Sequence, residues 1–341
     1  MTEQIGAALR LLYPDGRAIT PDSATDDFSL KSLCEDNVYS LTLTPRRAGL
    51  ALAAVEYDIP LPHDLTDVPE ELYIYDDSAY TNDFTSVVPY VGNETRTVYN
   101  LAVFKNLRTR KVFLCGLLTA HRFLAMFNLH DGLVTLRFDL EERELHAGEA
   151  YLLERFMVAE GTDNENVLLE AYGDAVAACN GARPDKPLPV GWCSWSCYYG
   201  NVNEEKIHRA ADGQATYTRA GESNLIQIDD GWQRCGSFCG KWVPDDTKFP
   251  SGLEATGQYV RDRGMTFGLW LAPWLLDDKS DYYGELKHLA REEATLGEHY
   301  HPFELGDPRY LAHLSATFRE MTERYGARYF KLDFLAAAKR F

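Results

Sequence analysis

The first half of the chain alternates apolar and polar residues, which is the spacing of a half-buried β-strand. Residues 133–140 show this most clearly, and Asp131-Gly132 before them is a hairpin turn signal that follows the apolar run 123–129. The apolar face of this strand consists of Val134, Leu136, Phe138 and Leu140. We predict further strands over 39–44, 72–75, 97–104 and 111–118. Many short strands between turns predict an antiparallel β-sandwich over residues 1–163.

The pattern changes to helical spacing over residues 164–180. Apolar or small side chains recur there every three or four positions, at Leu168, Ala171, Tyr172, Ala175 and Cys179. Asp163 or Asn164 supplies the capping side chain that a helix start prefers. Three prolines follow between residues 183 and 189, and prolines favour extended backbone. We therefore interpret residues 164–187 as a helical linker between two domains.

The second half alternates strands with helices. Buried strands are predicted over 188–195, 225–228, 265–270 and 329–333. Helices are predicted from Asn203 onwards, over 253–263, and between Asp307-Pro308 and Gly326. Strand–helix units of this length favour parallel pairing. We predict that residues 188–341 form the first half of a TIM (β/α)8 barrel, with about four strands.

Polar and aromatic side chains follow the predicted barrel strands at the ends where such barrels form their active sites. They are Trp192 and Trp195 after the first strand, Asp229 and Asp230 after the second, Trp270 after the third, and Lys331 and Asp333 after the fourth. Carboxylates accept hydrogen bonds from hydroxyl groups, and indole rings pack against C–H faces. The set therefore predicts a binding site for a neutral, hydroxyl-rich ligand.

Each of these features also has a purely structural explanation. Asp229 and Asp230 are suited to a helix cap and a turn, the tryptophans are suited to a core, and Lys331 with Asp333 is suited to a structural ion pair. The site interpretation is favoured because all of them fall at strand ends in the same register.

The charge and the cysteine content disfavour several classes of ligand. A formal net charge of −18 argues against nucleic acid and anionic membranes as partners. Residues 213–221 lack the G-x-G-x-x-G of dinucleotide sites, and the seven cysteines lack metal-finger spacing, so we expect no cofactor and no metal. The chain shows neither a leader pattern nor an apolar run long enough to span a bilayer, so we expect a cytoplasmic protein.

Five stretches of the second half together resemble glycoside hydrolase family 36, which contains α-galactosidases and related raffinose-type transglycosidases. They read PVGWCSW, IQIDDGWQ, KFPSGL, GMTFGLWLAPW and YFKLDFLAAA, in the order and spacing of the family over about residues 187–338. The β-rich first half fits the N-terminal sandwich of the family by layout. The resemblance implies a retaining hydrolase of terminal α-D-galactosyl residues in oligosaccharides of the raffinose and melibiose type.

The same resemblance implies a role for each candidate residue. Asp333 would be the nucleophile that attacks the anomeric carbon, and Lys331 would bind sugar hydroxyls and favour the ionised form of Asp333. Asp229 and Asp230 would bind the 4- and 6-hydroxyl groups. The pocket would be lined by three tryptophans, Trp192, Trp195 and Trp270.

Three places depart from the pattern of the family. Ser196-Cys197 precedes Tyr198 where many members have an aromatic residue, and Gly240-Lys241-Trp242 replaces the frequent Gly-Asp-Trp. Residues 271–274 read Leu-Ala-Pro-Trp where a better-known subgroup has Glu-Pro-Glu. These departures leave the preferred linkage and the aglycone open.

The general acid/base of this family is an aspartate on a later barrel strand, and no carboxylate of this chain matches it. We therefore expect a fragment with weak or no turnover of ordinary α-galactosides. As protein partner we expect a second copy of the chain or a complementing C-terminal chain, because half a barrel leaves strand edges unpaired. Two alternatives stay open: a galactosyl transglycosidase of the raffinose-synthase kind, towards which GWCSW leans, and a non-catalytic sugar-binding remnant or subunit.

Overall fold

The structure is a computed structural model that describes residues 9–20, 27–77, 86–90, 92, 95–183, 185, 188–219, 223–295 and 297–335. The chain divides into two compact units, Met1–Asp185 and Lys186–Phe341. Residues 184, 186 and 187 of the predicted linker lie outside the described residues. The assignment of residues 164–187 to a linker stays a prediction.

The first unit consists mainly of short strands. In chain order they are β1 (Leu9–Leu12), β2 (Ala18–Ile19), β3 (Phe28–Glu35), β4 (Val38–Pro45), β5 (Leu50–Ala51), β6 (Ala54–Pro60), β7 (Leu72–Asp76), β8 (Ser86–Pro89), β9 (Arg96–Val98), β10 (Leu101–Asn106), β11 (Lys111–Leu117), β12 (Leu124–His130), β13 (Leu133–Asp139), β14 (Glu144–Leu145), β15 (Tyr151–Leu152) and β16 (Phe156–Thr162). A short helix α1 (His63–Thr66) and a 3-10 turn (Pro69–Glu71) precede β7. Helix α2 (Glu165–Asn180) follows β16, and Asn164 caps it by accepting a hydrogen bond from the backbone N–H of Asn166.

Most of these strands form two antiparallel sheets. One sheet has the order β2-β1-β6-β13-β12-β9, the other has the order β15-β4-β16-β11-β10-β7-β8 with β3 paired to β4, and β14 pairs with β5. Apolar side chains from both sheets form one core, including Leu11, Phe127 and Phe138 from the first sheet and Phe104 and Phe156 from the second. The predicted antiparallel β-sandwich is confirmed.

The second sheet is buried on both faces where helix α2 covers its central strands. Its outer face carries Val112, Leu114 and Ala159, which pack against Leu168 and Tyr172 of α2. This explains why β11 is apolar and buried from Val112 to Leu117 and does not alternate there.

The predicted strand over 97–104 is wrong, because two strands occupy this segment. Strand β9 pairs with β12 in the first sheet, whereas β10 pairs with β7 and β11 in the second. Between them, the backbone N–H groups of Tyr99 and Asn100 donate hydrogen bonds of 3.2 and 2.9 Å to Oδ1 of Asp77. The chain therefore crosses from one sheet to the other at this carboxylate.

The second unit contains the elements β17 (Gly191–Cys193), α3 (Trp195–Tyr198), α4 (Glu204–Arg219), β18 (Leu225–Ile228), α5 (Leu253–Arg261), β19 (Thr266–Leu271), β20 (Leu275–Asp277), α6 (Tyr283–Leu286), a 3-10 turn (Lys287–Leu289), β21 (Tyr300–Pro302), α7 (Pro308–Glu323) and β22 (Tyr329–Leu332). Strands β17, β18, β19 and β22 pair in parallel and in chain order, and β20 pairs with β21. This is the strand order of the first half of a (β/α)8 barrel, as predicted.

The first barrel strand is shorter than the predicted strand over 188–195. The chain leaves the strand at Ser194, whose backbone N–H donates to the carbonyl of Gln227 at 3.1 Å. The Ser194 hydroxyl accepts a hydrogen bond of 2.8 Å from the backbone N–H of Asp229. Helix α3 then begins at Trp195, so this tryptophan lies on a helix and not on the strand.

No helix within the described ranges is both long and apolar enough to cross a lipid bilayer.

Candidate active site

Side chains of the four parallel strands alternate between two faces, and the register decides which of them meet. Cys193 lies beside Gln227, and Trp270 lies beside Lys331. The neighbours of these residues on the opposite face, such as Ile226 and Leu269, belong to the core of the unit. The candidate site is therefore built on one face of the sheet, at the carboxyl ends of its strands.

The carboxylate of Asp229 is buried, with only 2% of its side chain exposed. Its Oδ2 accepts three hydrogen bonds, from Nζ of Lys331 at 2.8 Å, from Nε2 of Gln227 at 3.1 Å and from Sγ of Cys193 at 3.3 Å. Its Oδ1 accepts the backbone N–H of Asp230 at 3.0 Å. We call these side chains, Asp229, Lys331, Gln227 and Cys193, the Asp229 cluster.

The cluster keeps its two central groups ionised. Burial raises the pKa of Asp229, but the hydrogen bonds from Lys331, the Asp230 backbone and the two other side chains together outweigh it, so the pKa lies below its ordinary value. Burial lowers the pKa of Lys331, but the hydrogen bond and charge of Asp229 and the charge of Asp333 raise it above its ordinary value. Burial raises the pKa of the Cys193 thiol, which therefore stays protonated and able to donate.

Asp333 lies one residue beyond β22, and 41% of its side chain is exposed. Its Oδ2 accepts a hydrogen bond of 3.0 Å from Nε1 of Trp270 and lies 3.8 Å from Nζ of Lys331. Its Oδ1 accepts the backbone N–H of Phe334 at 2.8 Å, and Phe334 has a positive φ of 55°. The structure therefore presents an oriented, partly exposed carboxylate next to a cation.

Two other tryptophans, Trp232 and Trp242, contact Trp270. The ring of Trp242 packs edge-on against the ring of Trp270 with a centroid distance of 5.8 Å. The centroids of the Trp242 and Trp232 rings are 6.1 Å apart. Nε1 of Trp232 donates a hydrogen bond of 3.0 Å to the carbonyl of Trp270. All three tryptophans are buried, so packing fixes the position of the Trp270 indole N–H that faces Asp333.

The side chains of three predicted site residues lie outside these contacts. Asp230 is partly buried, and its carboxylate accepts hydrogen bonds from the side chains of Gln233 and Ser237. Trp195 is 39% exposed and packs against Tyr199. Trp192 pairs with Ile226 on the face opposite to Cys193, and its ring packs against Tyr198. The structure thus brings together Asp229, Lys331, Trp270 and Asp333 and separates Trp192 from them.

Sequence reasoning missed Cys193 and Gln227 as partners of Asp229. The alternation of the strands contained part of the signal, because both residues share a face with the strand-end carboxylates. The same alternation places Trp192 on the other face. Trp232 and Trp242 carry no such signal, since they lie in a loop and reach Trp270 only through tertiary packing.

Within the described residues, no group of three or more His, Cys, Asp or Glu side chains is placed to hold a metal ion. What the arrangement offers is a carboxylate at a strand end, an ammonium group and hydrogen-bond acceptors. This chemistry is suited to nucleophilic attack and to binding of hydroxyl groups.

Comparison with known proteins gives α-galactosidases among the relatives. Residues 172–334 match the family model described as Melibiase. The α-galactosidase AgaA of Geobacillus stearothermophilus is 28% identical over 145 residues, which are 41% of this chain and 19% of that protein. An α-galactosidase of Escherichia coli is 32% identical over 105 residues, which are 29% of this chain and 14% of that protein.

Solved structures share the fold at lower identity. That of AgaA, a family 36 α-galactosidase, has a TM-score of 0.70 at 15% identity and covers 95% of this chain and 54% of that one. The α-galactosidase TtGalA of Thermus thermophilus, solved with p-nitrophenyl α-D-galactopyranoside, has a TM-score of 0.62 at 19% identity and covers 91% and 64%. The chain thus spans less than two thirds of the length of these relatives. Residues 172–334 thus match the melibiase family model, and the α-galactosidases found by sequence and by fold agree with the resemblance of the motifs to glycoside hydrolase family 36.

Proposed function

We propose that the second unit contains the nucleophile and part of the galactose site of a retaining α-galactosidase that acts on oligosaccharides of the raffinose and melibiose type. The observation that carries this proposal is the setting of Asp333, whose Oδ2 accepts a hydrogen bond from Trp270 and lies 3.8 Å from Nζ of Lys331. The names of the sequence relatives, which are α-galactosidases, support the same activity.

In the proposed reaction, Asp333 attacks the anomeric carbon of a terminal α-galactosyl residue. A bond forms between a carboxylate oxygen and this carbon, the glycosidic C–O bond breaks, and the aglycone leaves with the electron pair. Water then cleaves the glycosyl-enzyme ester and releases galactose. Lys331 has three donor hydrogens, of which one is directed to Asp229, so the others are available to sugar hydroxyls and to Asp333.

The departing oxygen of an unactivated sugar needs a proton, and a retaining enzyme supplies it from a second carboxyl group about 5–5.5 Å from the nucleophile. The ammonium group of Lys331 lies near both Asp229 and Asp333. Asp229 is nevertheless an unsuitable acid, because it is buried and its lowered pKa favours the ionised form. Substrates with a leaving group that needs no proton are therefore the appropriate probes of Asp333.

The test uses p-nitrophenyl α-galactoside and an activated 5-fluoro-galactosyl fluoride with the chain in three forms: unchanged, Asp333→Asn and Asp246→Asn. Asp246 is an exposed aspartate on a loop of the same unit and serves as the matched control. We expect release of p-nitrophenol and a covalent adduct on the peptide that contains Asp333, both lost only in Asp333→Asn. Absence of adduct and of p-nitrophenol with the unchanged, folded chain would contradict the proposal. Product analysis with an added sugar acceptor separates hydrolysis from galactosyl transfer.

A further inference from the structure

The stretch KFPSGL, residues 248–253, has no role in the proposed reaction. Two of its apolar members, Phe249 and Leu253, belong to the core of the second unit. Lys248 is partly buried, and its ammonium group donates a hydrogen bond of 2.6 Å to the carbonyl of Gly231 and one of 3.1 Å to the carbonyl of Gly200. One cation thus contacts two segments that lie 17 and 48 residues before it in the chain.

The two carbonyl groups belong to the connections that follow neighbouring barrel strands. Gly200 and Trp195 lie in the connection between β17 and α4, whereas Asp230 and Gly231 lie in the loop after β18. These segments meet without space for a side chain. Gly231 has a φ of +107°, and a Cβ atom on it would clash with the backbone of Gly200. The ammonium group of Lys248 therefore bridges two segments that are already in contact.

The main chain of Lys248 is itself fixed on both sides. Its carbonyl accepts a hydrogen bond of 2.9 Å from the backbone N–H of Glu204, at the start of α4. Its N–H donates to the carbonyl of Asp245 at 3.1 Å, and the N–H of Asp245 donates to the carbonyl of Trp232 at 2.9 Å. Lys248 is thus held between α4 and the loop after β18, which limits the positions that its ammonium group can reach.

A cation has a specific effect at this place. Two carbonyl oxygens that are directed at one point repel each other unless a positive charge lies between them, and hydrogen bonds from a charged donor are stronger than neutral ones. Gly200 is exposed and Gly231 is only partly buried, so water can replace the donors when the ammonium group is removed. The unit can therefore fold without this group, but water does not hold the two segments at a fixed distance.

We propose that Lys248 is a positioning residue, whose ammonium group holds the connection that carries Trp195 against the loop that carries Asp230. This role rests on the proposed function and deepens it, because both segments contain candidate residues of the sugar site. The proposed nucleophile Asp333 and its partner Trp270 lie at the ends of the other two strands, β22 and β19. Loss of the Lys248 ammonium group should therefore weaken the binding of the sugar and leave the attack by Asp333 unchanged.

The first measurement needs no ligand. Hydrogen exchange followed by mass spectrometry is compared between the unchanged chain, Lys248→Met and Lys241→Met, a control in which an exposed pair with Glu285 is broken. In Lys248→Met we expect exchange over residues 195–201 and 229–236 to become faster by roughly tenfold, as for the loss of a hydrogen bond to a charged group. Lys241→Met should leave both segments unchanged. Unchanged exchange in a folded Lys248→Met would overturn the proposal.

The second measurement separates binding from chemistry. The rate of adduct formation is measured at several concentrations of the activated 5-fluoro-galactosyl fluoride, which gives an apparent dissociation constant and a maximal rate. If the competent arrangement of the two segments is populated about one tenth of the time in Lys248→Met, the apparent dissociation constant rises roughly tenfold. The maximal rate should stay the same. A lower maximal rate with an unchanged dissociation constant would overturn the positioning role.

A second pair of variants tests the same contact from the other side. Gly231→Ala forces the two segments apart while Lys248 stays, so the apparent dissociation constant should rise as in Lys248→Met. Gly236→Ala is the matched control in the same loop, since nothing lies within 4 Å of its added methyl group. Equal dissociation constants in these two variants would count against the proposal.

Lys248→Gln provides a milder variant in case Lys248→Met does not fold. It keeps a hydrogen-bond donor and removes the charge, so the dissociation constant should rise by a smaller factor. An unchanged constant in Lys248→Gln would then overturn the role of the cation. If the unchanged chain forms no adduct at all, the proposed function fails, whereas hydrogen exchange still decides whether Lys248 holds the two segments.

Discussion

Nε1 of Trp270 donates a hydrogen bond of 3.0 Å to Oδ2 of Asp333, although the two residues are 63 positions apart. The strand register creates this contact, because Trp270 lies beside Lys331, and Asp333 follows Lys331 on the same face. Trp270 thus connects the proposed nucleophile to the buried rings of Trp232 and Trp242.

Trp270→Phe should slow the formation of the glycosyl-enzyme by roughly tenfold, because a hydrogen bond to a charged carboxylate is lost while most of the ring packing stays. The measurement is the rate of adduct formation with the activated fluoride, followed by mass spectrometry. Trp274→Phe is the control, since Trp274 packs in a separate apolar cluster with Leu276 and Tyr310. Equal rates in Trp270→Phe and the unchanged chain would show that the indole N–H does not assist Asp333.

Lys331→Met should destabilise the second unit, because it leaves the Asp229 carboxylate buried without its cation. We expect a loss of about 2 kcal/mol, less than the roughly 3–5 kcal/mol of a fully buried pair, since the Lys331 side chain is 37% exposed. Urea unfolding followed by tryptophan fluorescence measures this loss, because all six tryptophans lie within Lys186–Phe341. Lys241→Met, which breaks an exposed pair with Glu285, should change stability by less than about 1 kcal/mol. Equal losses in the two variants would contradict the special position of Lys331.

Gly116→Ala should destabilise the first unit. A Cβ atom on Gly116 would clash with the ring of Tyr172, whose hydroxyl donates a hydrogen bond of 2.6 Å to the carbonyl of Leu117. Helix α2 would have to shift from β11, at a cost of about 1–3 kcal/mol in a packed contact. Gly173→Ala in the same helix should stabilise by about 0.5–1 kcal/mol, because nothing lies within 4 Å of its added methyl group. Urea unfolding followed by circular dichroism should give opposite signs, and a neutral Gly116→Ala would refute the close packing.

The barrel strands could be predicted from the sequence because their signals are local. The buried run 225–228 was located to the residue, and the carboxylates Asp229 and Asp333 directly follow strands β18 and β22. The contact between Cys193 and Asp229 could not be predicted, since it depends on how two strands 36 residues apart are paired. The break between β9 and β10 likewise depends on a distant residue. Asp77 accepts a hydrogen bond from the backbone N–H of Tyr99, which lies 22 residues further along the chain.

The packing of α4 against α5 favours the neutral form of His208. The imidazole ring of His208 stacks on the ring of Tyr259 with a centroid distance of 3.7 Å. The guanidinium group of Arg263 lies 3.4 Å from the centroid of the Tyr259 ring. Nε2 of His208 is buried and has no hydrogen-bond partner within the described part of the chain. Burial lowers the pKa of His208 and Arg263 lowers it further, while Glu204 and Asp212 only partly oppose this.

The stability of the second unit should therefore decrease as the pH falls through the ordinary pKa of histidine, about 6.5. The unfolded chain binds the His208 proton at a higher pH than the folded chain does, so the contribution is complete above that pH and is lost below it. His208→Phe keeps the stacked ring and removes the titration, so its unfolding free energy should vary less between about pH 5 and 7. The control is His288→Phe at an exposed position, and tryptophan fluorescence reports the unfolding of this unit. If His208→Phe and His288→Phe show the same pH dependence as the unchanged chain, the partly buried His208 does not control the acid sensitivity of this unit.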